Sequence, residues 1–139
     1  MFMQTFLPYP SFIDSAKSLD RQRLGKQRVE ALQLLKGQWP NHPAAKMWQG
    51  YKEALALYGV YICREWTGRG YKDNCLIQIL DEVPDIDFGN VQFPNWFGNY
   101  DFHRSHQSNL VRKDSLFYAP QFQNVPDNLP YVWPPSSQI

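Results

Sequence analysis

Apolar residues recur at helical spacing along most of this chain, and no stretch shows the apolar–polar alternation typical of a strand. The longest series is Met47, Tyr51, Leu55, Tyr58 and Ile62, in steps of three or four residues. Such steps place all five side chains on one face of a helix. The series therefore predicts a long amphipathic helix in the middle of the chain.

Proline and glycine set the predicted limits of this central helix. Pro43 follows Asn41 and His42, and proline is tolerated in the first turn of a helix. Gly68 and Gly70 lie beyond the last apolar residues, where glycine commonly ends a helix. We therefore predict one helix that begins at Pro43 and stops at these glycines.

A second long helix is predicted earlier in the chain. Asp20 can cap its N-terminus, and Gly37 lies near its end. Between them Leu24, Ala31 and Leu35 supply an apolar stripe at helical spacing. This segment is the first long helix of the predicted fold.

Shorter elements complete the prediction. Ser11 or Asp14 can cap a short helical turn that follows an extended start over residues 1–10. Further helices are predicted over residues 73–80 and 101–113.

The connections are long and rich in aromatic residues and proline. Residues 81–99 read as an ordered loop anchored by aromatic side chains, namely Phe88, Phe93, Trp96 and Phe97. Residues 118–139 are predicted to be an extended, proline-rich C-terminal segment that wraps the surface, held by Tyr131 and Trp133. The predicted fold class is mainly α, a compact helical bundle in which residues 1–139 form a single domain.

Composition narrows the function classes. The chain has 139 residues, 43% of them hydrophobic, which suits one domain with a substantial core. Its two cysteines and the lack of a signal peptide exclude a disulfide scaffold and a four-cysteine zinc site. No apolar run approaches the ~18–20 residues that span a bilayer, so a membrane protein is excluded and a cytoplasmic location is expected.

The first long helix is basic although the whole chain has a formal net charge of only +1. Arg23, Lys26, Glu30 and Gln33 share one face of this helix. Cations there suit phosphate groups, and a carboxylate among cations is expected to stay ionised as a base or electrostatic stabiliser. Alternatively the face is merely solvated, and Glu30 pairs with Lys26.

The predicted helix over residues 101–113 carries a second candidate cluster. His103 and His106 can share a face, which suits a metal or an acid–base pair. No third ligand lies nearby, so no metal site is predicted. Four polar residues of the same helix suit hydrogen bonds to phosphates or base edges: Ser105, Ser108, Asn109 and Arg112. Alternatively His106 is a satisfied, half-buried residue and Arg112 a surface charge.

The start of the central helix is a third candidate. A helix N-terminus presents free backbone amides to a phosphate, and Lys46 lies one turn further on. Trp48 can stack on a base or lie in the core.

Three runs of sequence together resemble the pyrimidine-dimer DNA glycosylases. They are residues 19–30 (LDRQRLGKQRVE), residues 41–48 (NHPAAKMW) and residues 103–113. The resemblance to an uncharacterised bacterial and phage branch of this family extends from Gln4 to Pro134. It implies a mainly helical DNA-repair enzyme that uses neither a metal nor another cofactor.

The resemblance also implies a mechanism. In the family, an N-terminal α-amine attacks the sugar of a damaged nucleotide and forms a Schiff base with it, and β-elimination then cuts the strand. A glutamate on the first long helix assists, and arginines hold the phosphates. Here the α-amine is that of Met1 and the glutamate matches Glu30, while His103 and His106 are the further catalytic candidates. The candidate phosphate and nucleic-acid contacts are Arg21, Arg23, Lys26, Arg28, His42, Lys46, Asn109, Arg112 and Lys113.

The leading hypothesis is a DNA glycosylase, with or without AP-lyase activity, that acts on a damaged or modified pyrimidine. One alternative is a non-catalytic binder of a nucleotide or nucleic acid that uses the same pocket. Another is an interaction module that uses the aromatic loop Phe88–Tyr100. The first two require that cations of the first long helix and imidazoles of the late helix meet around one hollow. The sequence predicts no oligomeric state.

Overall fold

A computed structural model describes residues 3–134 of the chain, and within that range seven α-helices and one 3-10 helix are present without any strand. The mainly α fold class is therefore confirmed. The helices are α1 (Phe12–Ser18), α2 (Arg21–Leu35), α3 (Pro43–Met47), α4 (Lys52–Gly68), α5 (Leu76–Glu82), α6 (Tyr100–Lys113) and α7 (Ser115–Tyr118), and the 3-10 helix is Phe88–Asn90.

The predicted caps start the first two helices. The Ser11 hydroxyl accepts the backbone N–H of Asp14 at 3.1 Å, so Ser11 caps α1. The Asp20 carboxylate accepts the backbone N–H of Arg23 at 3.4 Å and caps α2. Helix α2 ends at Leu35, close to the predicted limit.

The single helix predicted from Pro43 is wrong, because the structure has two. Helix α3 ends at Met47, and α4 begins at Lys52 after a turn in which Gly50 has a φ of +84°. A residue with positive φ cannot continue a right-handed helix, and glycine adopts that conformation without steric cost. Met47 and Trp48 are both buried, so the apolar spacing passes through the break without a gap.

Helix α5 begins three residues later than predicted. Before it, the Asp73 carboxylate accepts the backbone N–H groups of Cys75 and Leu76 at 3.1 and 2.8 Å. Asp73 therefore lies outside the helix, where its oxygens satisfy free amides of the first turn. In the following loop Trp96 is buried, whereas Phe88 is 42% exposed and does not anchor the loop.

The core lies where α2 packs along α4, and α4 also contacts α1 and α5. Gly59 of α4 permits this approach, since a Cβ there would lie 2.9 Å from Cδ1 of Ile79 and 3.4 Å from Cβ of Ala31. Cys63 is buried as predicted, and burial raises the pKa of its thiol. None of the helices in residues 3–134 has the length and hydrophobicity needed to cross a bilayer.

An extended N-terminal segment, residues 3–8, runs through the interior between α2 and α6. The N–H of Phe6 donates to Gln27 Oε1 at 3.0 Å. The N–H of Leu7 donates to His106 Nδ1 at 2.9 Å, and Leu7 O lies 2.7 Å from His103 Nδ1. These bonds fix the segment beside the candidate site.

Residues 119–134 lack regular structure, as predicted, and α6 holds them in place. Leu129 N–H donates to the Ser108 hydroxyl at 3.0 Å, and Asn109 Nδ2 donates to Leu129 O at 3.1 Å. Val132 N–H donates to Ser105 Oγ at 3.2 Å. These polar side chains therefore bind the chain itself rather than presenting themselves to phosphate. Residue 118 belongs to α7, and residues 135–139 of the predicted segment lie outside the described range.

Candidate functional site

A hollow of about 860 Å³ lies between α2, α6, the N-terminal segment and the C-terminal segment. We call it the central hollow. Its lining residues are Met3, Gln4, Phe6, Gln22, Arg23, Lys26, Gln27, Glu30, His42, Asn109, Arg112, Lys113, Pro130, Tyr131 and Trp133.

Cations from two helices meet in the central hollow. Arg23 and Lys26 come from α2, and Arg112 and Lys113 come from α6. Burial, and after it the positive charges of the other three, lower the pKa of Lys113. Cations of both helices therefore line one hollow, where the hypothesis required imidazoles of α6, and their combined charge favours an anionic ligand.

Glu30 is the carboxyl group of this hollow. Its Oε2 accepts hydrogen bonds from Gln27 Nε2 at 3.1 Å and from the N–H of Gln4 at 3.4 Å. Burial raises the pKa of Glu30, although these two hydrogen bonds and the charge of Lys26 oppose the shift. Burial therefore outweighs the neighbouring cation in its effect on the pKa of this carboxyl group. Glu30 forms no ion pair within residues 3–134, so the simple Lys26 pairing is not observed.

The two histidines of α6 face the N-terminal segment and are absent from the described lining of the central hollow. His103 Nε2 accepts the N–H of Gly98 at 2.9 Å, so its Nδ1 carries the proton and donates to Leu7 O. His106 is fully buried, and this burial lowers its pKa to about 3. Both rings are therefore neutral and hold backbone in place, so the expectation that they line the pocket is corrected.

His42 is the imidazole that does line the central hollow. Its Nδ1 accepts the N–H of Ala44 at 3.0 Å and caps α3, and its ring meets that of Trp133 edge-on at 5.9 Å. Burial lowers the pKa of His42. The neutral ring is thus the form that this position favours.

Three of the predicted phosphate ligands lie outside the central hollow. Arg28 pairs with Asp73 at 2.5 Å and lies over the Trp66 ring at 4.4 Å. Arg21 lies 6.0 Å from the centre of the Tyr71 ring and faces the other side of α2. Lys46 is exposed on α3.

A second hollow of about 660 Å³ adjoins the first across α2, and we call it the side hollow. Gln22, Lys26 and Glu30 line both. A Cβ at Gly25 would lie 3.1 Å from the Trp66 ring, so glycine there lets this ring approach α2 closely.

Sequence reasoning missed eight lining residues of the central hollow, and four of these matter for its chemistry. Gln27 lies three residues before Glu30 on the same helix face, so helical spacing could have indicated it. Gln4 lines the hollow because the N-terminal segment runs between α2 and α6, and no local sequence pattern shows that arrangement. Tyr131 and Trp133 were expected only to hold the C-terminal segment, and they also line the hollow. Trp48 is a core residue whose Nε1–H donates to Thr5 Oγ1 at 3.0 Å.

The sequence model of one family, described as pyrimidine dimer DNA glycosylase, matches residues 3–79, more than half of the chain. The chain belongs to this family. No curated protein and no solved structure matches it.

Membership of the pyrimidine dimer DNA glycosylase family makes the chain a DNA glycosylase in general terms and DNA its partner. The match contains the N-terminal segment, α2 with Glu30, and His42. The α6 and C-terminal sides of the central hollow lie beyond it. Residues 3–134 contain no group of three or more His, Cys, Asp and Glu side chains arranged to hold a metal ion.

Proposed function

We propose that this chain removes a damaged or modified pyrimidine from DNA, and that the reaction takes place in the central hollow. One observation carries the proposal: Glu30, a carboxyl group whose pKa burial raises, lies in a hollow lined by four cations. A raised pKa places a carboxyl closer to the range in which it can donate and accept protons near neutral pH. The cations supply the contacts that a sugar-phosphate backbone requires.

The nucleotide must leave the base stack before its glycosidic bond can enter a hollow. Arg23, Lys26 and Arg112 bind the phosphates on either side of the extruded nucleotide. Glu30 then lies at the sugar, where it stabilises the positive charge that develops as the bond to the base breaks.

The strand-cutting step requires an amine. An uncharged amine attacks C1′, the glycosidic bond breaks, and the base leaves with a proton. The C1′–O4′ bond then opens as O4′ takes up a proton, which leaves an iminium at C1′. Loss of a proton from C2′ expels the 3′-phosphate, and water releases the enzyme. Met1, the family type of nucleophile, lies outside the described residues. Within residues 3–134, Lys113 combines a place in the hollow with a lowered pKa, and we propose it as the alternative amine.

Base release from defined substrates tests the proposal. The full chain is incubated with ultraviolet-irradiated, uracil-containing and phage-modified DNA, and free base is measured by chromatography. We expect release from at least one of these. A folded protein that releases no base from any of them contradicts the glycosylase proposal.

Borohydride trapping identifies the amine. Reduction during turnover fixes the iminium as a covalent protein–DNA adduct, and peptide mapping locates the adduct. We expect it at Lys113, with Lys113→Arg abolishing the adduct and Lys26→Arg retaining it. An adduct at the α-amine supports the family mechanism instead, and base release without any adduct shows a glycosylase without lyase activity.

Arg28 is expected to matter for stability and not for phosphate binding. Its guanidinium pairs with Asp73, whose side chain is only 4% exposed. Arg28→Met leaves that charge buried and unpaired, which typically costs about 3–5 kcal/mol. The slope of log affinity for DNA against log salt should not change. In Lys26→Met, by contrast, the slope should fall by about 0.9 with little loss of stability. A reduced slope in Arg28→Met would restore this residue as a phosphate ligand.

A further inference from the structure

The side-chain amide of Gln4 is the unexplained polar group of the central hollow. Gln4 lines the hollow and is 5% exposed. Its side-chain Oε1 accepts the N–H of Thr5 at 2.9 Å. Its Nε2 is buried and has no hydrogen-bond partner among the described residues.

The orientation of this amide is fixed by its neighbour. If the amide were turned over, its NH₂ would face the N–H of Thr5, and two donors would oppose each other. The oxygen therefore belongs beside Thr5, and the nitrogen is the free end. A buried donor without an acceptor is costly, so its retention points to a ligand.

Hydrogen bonds to the backbone of Gln4 hold this residue beside the carboxyl group of Glu30. Gln27 Nε2 donates to Gln4 O at 2.8 Å, and the N–H of Gln4 points to Glu30. Gln27 Nε2 also donates to Glu30, so one side chain connects the two residues. Met3, an unbranched and adaptable side chain, lines the hollow next to Gln4 in the chain and can move aside for a ligand.

The C-terminal segment supplies aromatic rings to the same hollow. The ring centres of Tyr131 and Trp133 lie 5.4 Å apart, and both residues line the hollow. Bases stack on such rings whatever their sequence. The hollow therefore combines cations for phosphates, rings for a base and one unused hydrogen-bond donor.

We propose that Gln4 is a specificity-determining residue, whose Nε2–H donates to a ring carbonyl oxygen of an extruded pyrimidine stacked on Tyr131 and Trp133. Every natural pyrimidine base carries at least one ring carbonyl, as guanine does, whereas adenine carries none. Among the bases with such an acceptor, the proposed function selects the pyrimidines, so the ligand class is a pyrimidine nucleotide within DNA. This inference rests on the proposed function, because it assigns a base to the same hollow.

The test is a binding measurement that requires no turnover. Fluorescence anisotropy gives the affinity for two duplexes that place one nucleotide opposite an abasic site, either thymine or difluorotoluene. Difluorotoluene has the shape of thymine but lacks its carbonyl acceptors. The full-length protein should prefer thymine by about threefold to tenfold, the range expected for one hydrogen bond.

Variants assign the preference to the amide. Gln4→Met should bind the two duplexes equally. Gln107→Met is the matched control, because the Gln107 amide donates to Pro8 O at 2.8 Å outside the hollow, and it should keep the preference. Trp133→Ala should weaken binding of both duplexes alike. As a measurement on the unmodified protein, the side-chain ¹⁵N resonance of Gln4 should shift with the thymine duplex more than with its analogue.

Equal affinity of the unmodified protein for both duplexes overturns the inference, and so does a folded Gln4→Met that keeps the preference. A resonance of Gln4 that responds equally to both duplexes also overturns it. A protein that releases no base but shows the Gln4-dependent preference sustains this inference and contradicts the proposed function. Base release without the Gln4-dependent preference supports the proposed function and contradicts this inference.

Discussion

Glu30→Gln is expected to lower the rate of base release by a factor of about 10²–10⁴, the usual contribution of a positioned acid or base. The amide is close to the carboxyl in shape, and its oxygen can still accept from Gln27 or from Gln4. It can neither carry the negative charge nor exchange the proton that the reaction requires. Single-turnover base release measures the effect, since it reports chemistry without product dissociation.

The same substitution is expected to leave the protein as stable as before, or to stabilise it, at neutral pH. Folding raises the pKa of Glu30 through burial, so the unfolded chain releases this proton more readily. The contribution of Glu30 to stability is therefore full below the pKa of the unfolded chain and falls as pH rises through the folded pKa. Glutamine does not ionise and escapes that loss. Thermal melting between pH 4 and 8 should show the melting temperature of Glu30→Gln increasing relative to that of the unmodified protein as pH rises.

A matched control separates charge at the site from charge elsewhere. Glu65 of α4 pairs at 2.7 Å with Arg69, the residue after the end of this helix, away from the hollow, and Glu65→Gln should keep full activity. Undiminished base release by Glu30→Gln would remove Glu30 from the mechanism. A collapse of its melting temperature would show that its main role is structural.

Mild acid should destabilise this protein through His106. Burial lowers the pKa of this ring from 6.5 to about 3, so the folded state keeps it neutral while the unfolded chain protonates it. Stability is full above pH 6.5 and is lost as pH falls below it, by about 1.4 kcal/mol per pH unit from this one group. His103, whose pKa burial also lowers, adds to the effect in the same direction. Urea unfolding between pH 7.5 and 4.5 measures the slope.

Substitution tests which histidine is responsible. His106→Gln should lower stability at pH 7.5, because the Leu7 N–H loses a well-placed acceptor, and it should flatten the dependence on pH. His42→Asn serves as the comparison, since asparagine also caps helices; burial lowers the pKa of this partly buried ring too, and we expect its loss to flatten the slope less than the loss of His106. An unchanged slope in His106→Gln would mean that acid acts elsewhere in the chain.

Features that depend on near neighbours in the chain could be predicted from the sequence. Ser11 and Asp20 were recognised as caps because a cap acts on amides two or three residues away. The break between α3 and α4 at Gly50 could not be predicted, because buried residues lie on both sides of it and the apolar spacing shows no gap. Asp73 was placed inside α5 because aspartate before a helix and aspartate in its first turn give similar patterns.

The candidate site could be predicted only in part. Spacing places Lys26 and Glu30 on one face of α2, and both residues line the central hollow, whereas Gln33 of the same face lines only the side hollow. Spacing also put His103 and His106 together, but it could not tell which face of α6 meets the N-terminal segment. The direction of the Glu30 pKa depends on how deeply the chain buries it, and Gln4 contributes to that burial from a distant part of the sequence.

The hollow is assembled from two portions of the chain that need not evolve together. The family match ends at residue 79 and holds the acidic side chain, whereas the surface facing it comes from α6 and the C-terminal segment. On the proposed function, a homologue that kept the first portion and carried a different tail would retain Glu30 and Gln4 but lose the rings and cations that face them. Substitutions at Tyr131 and Trp133 should therefore change how tightly an extruded nucleotide is held.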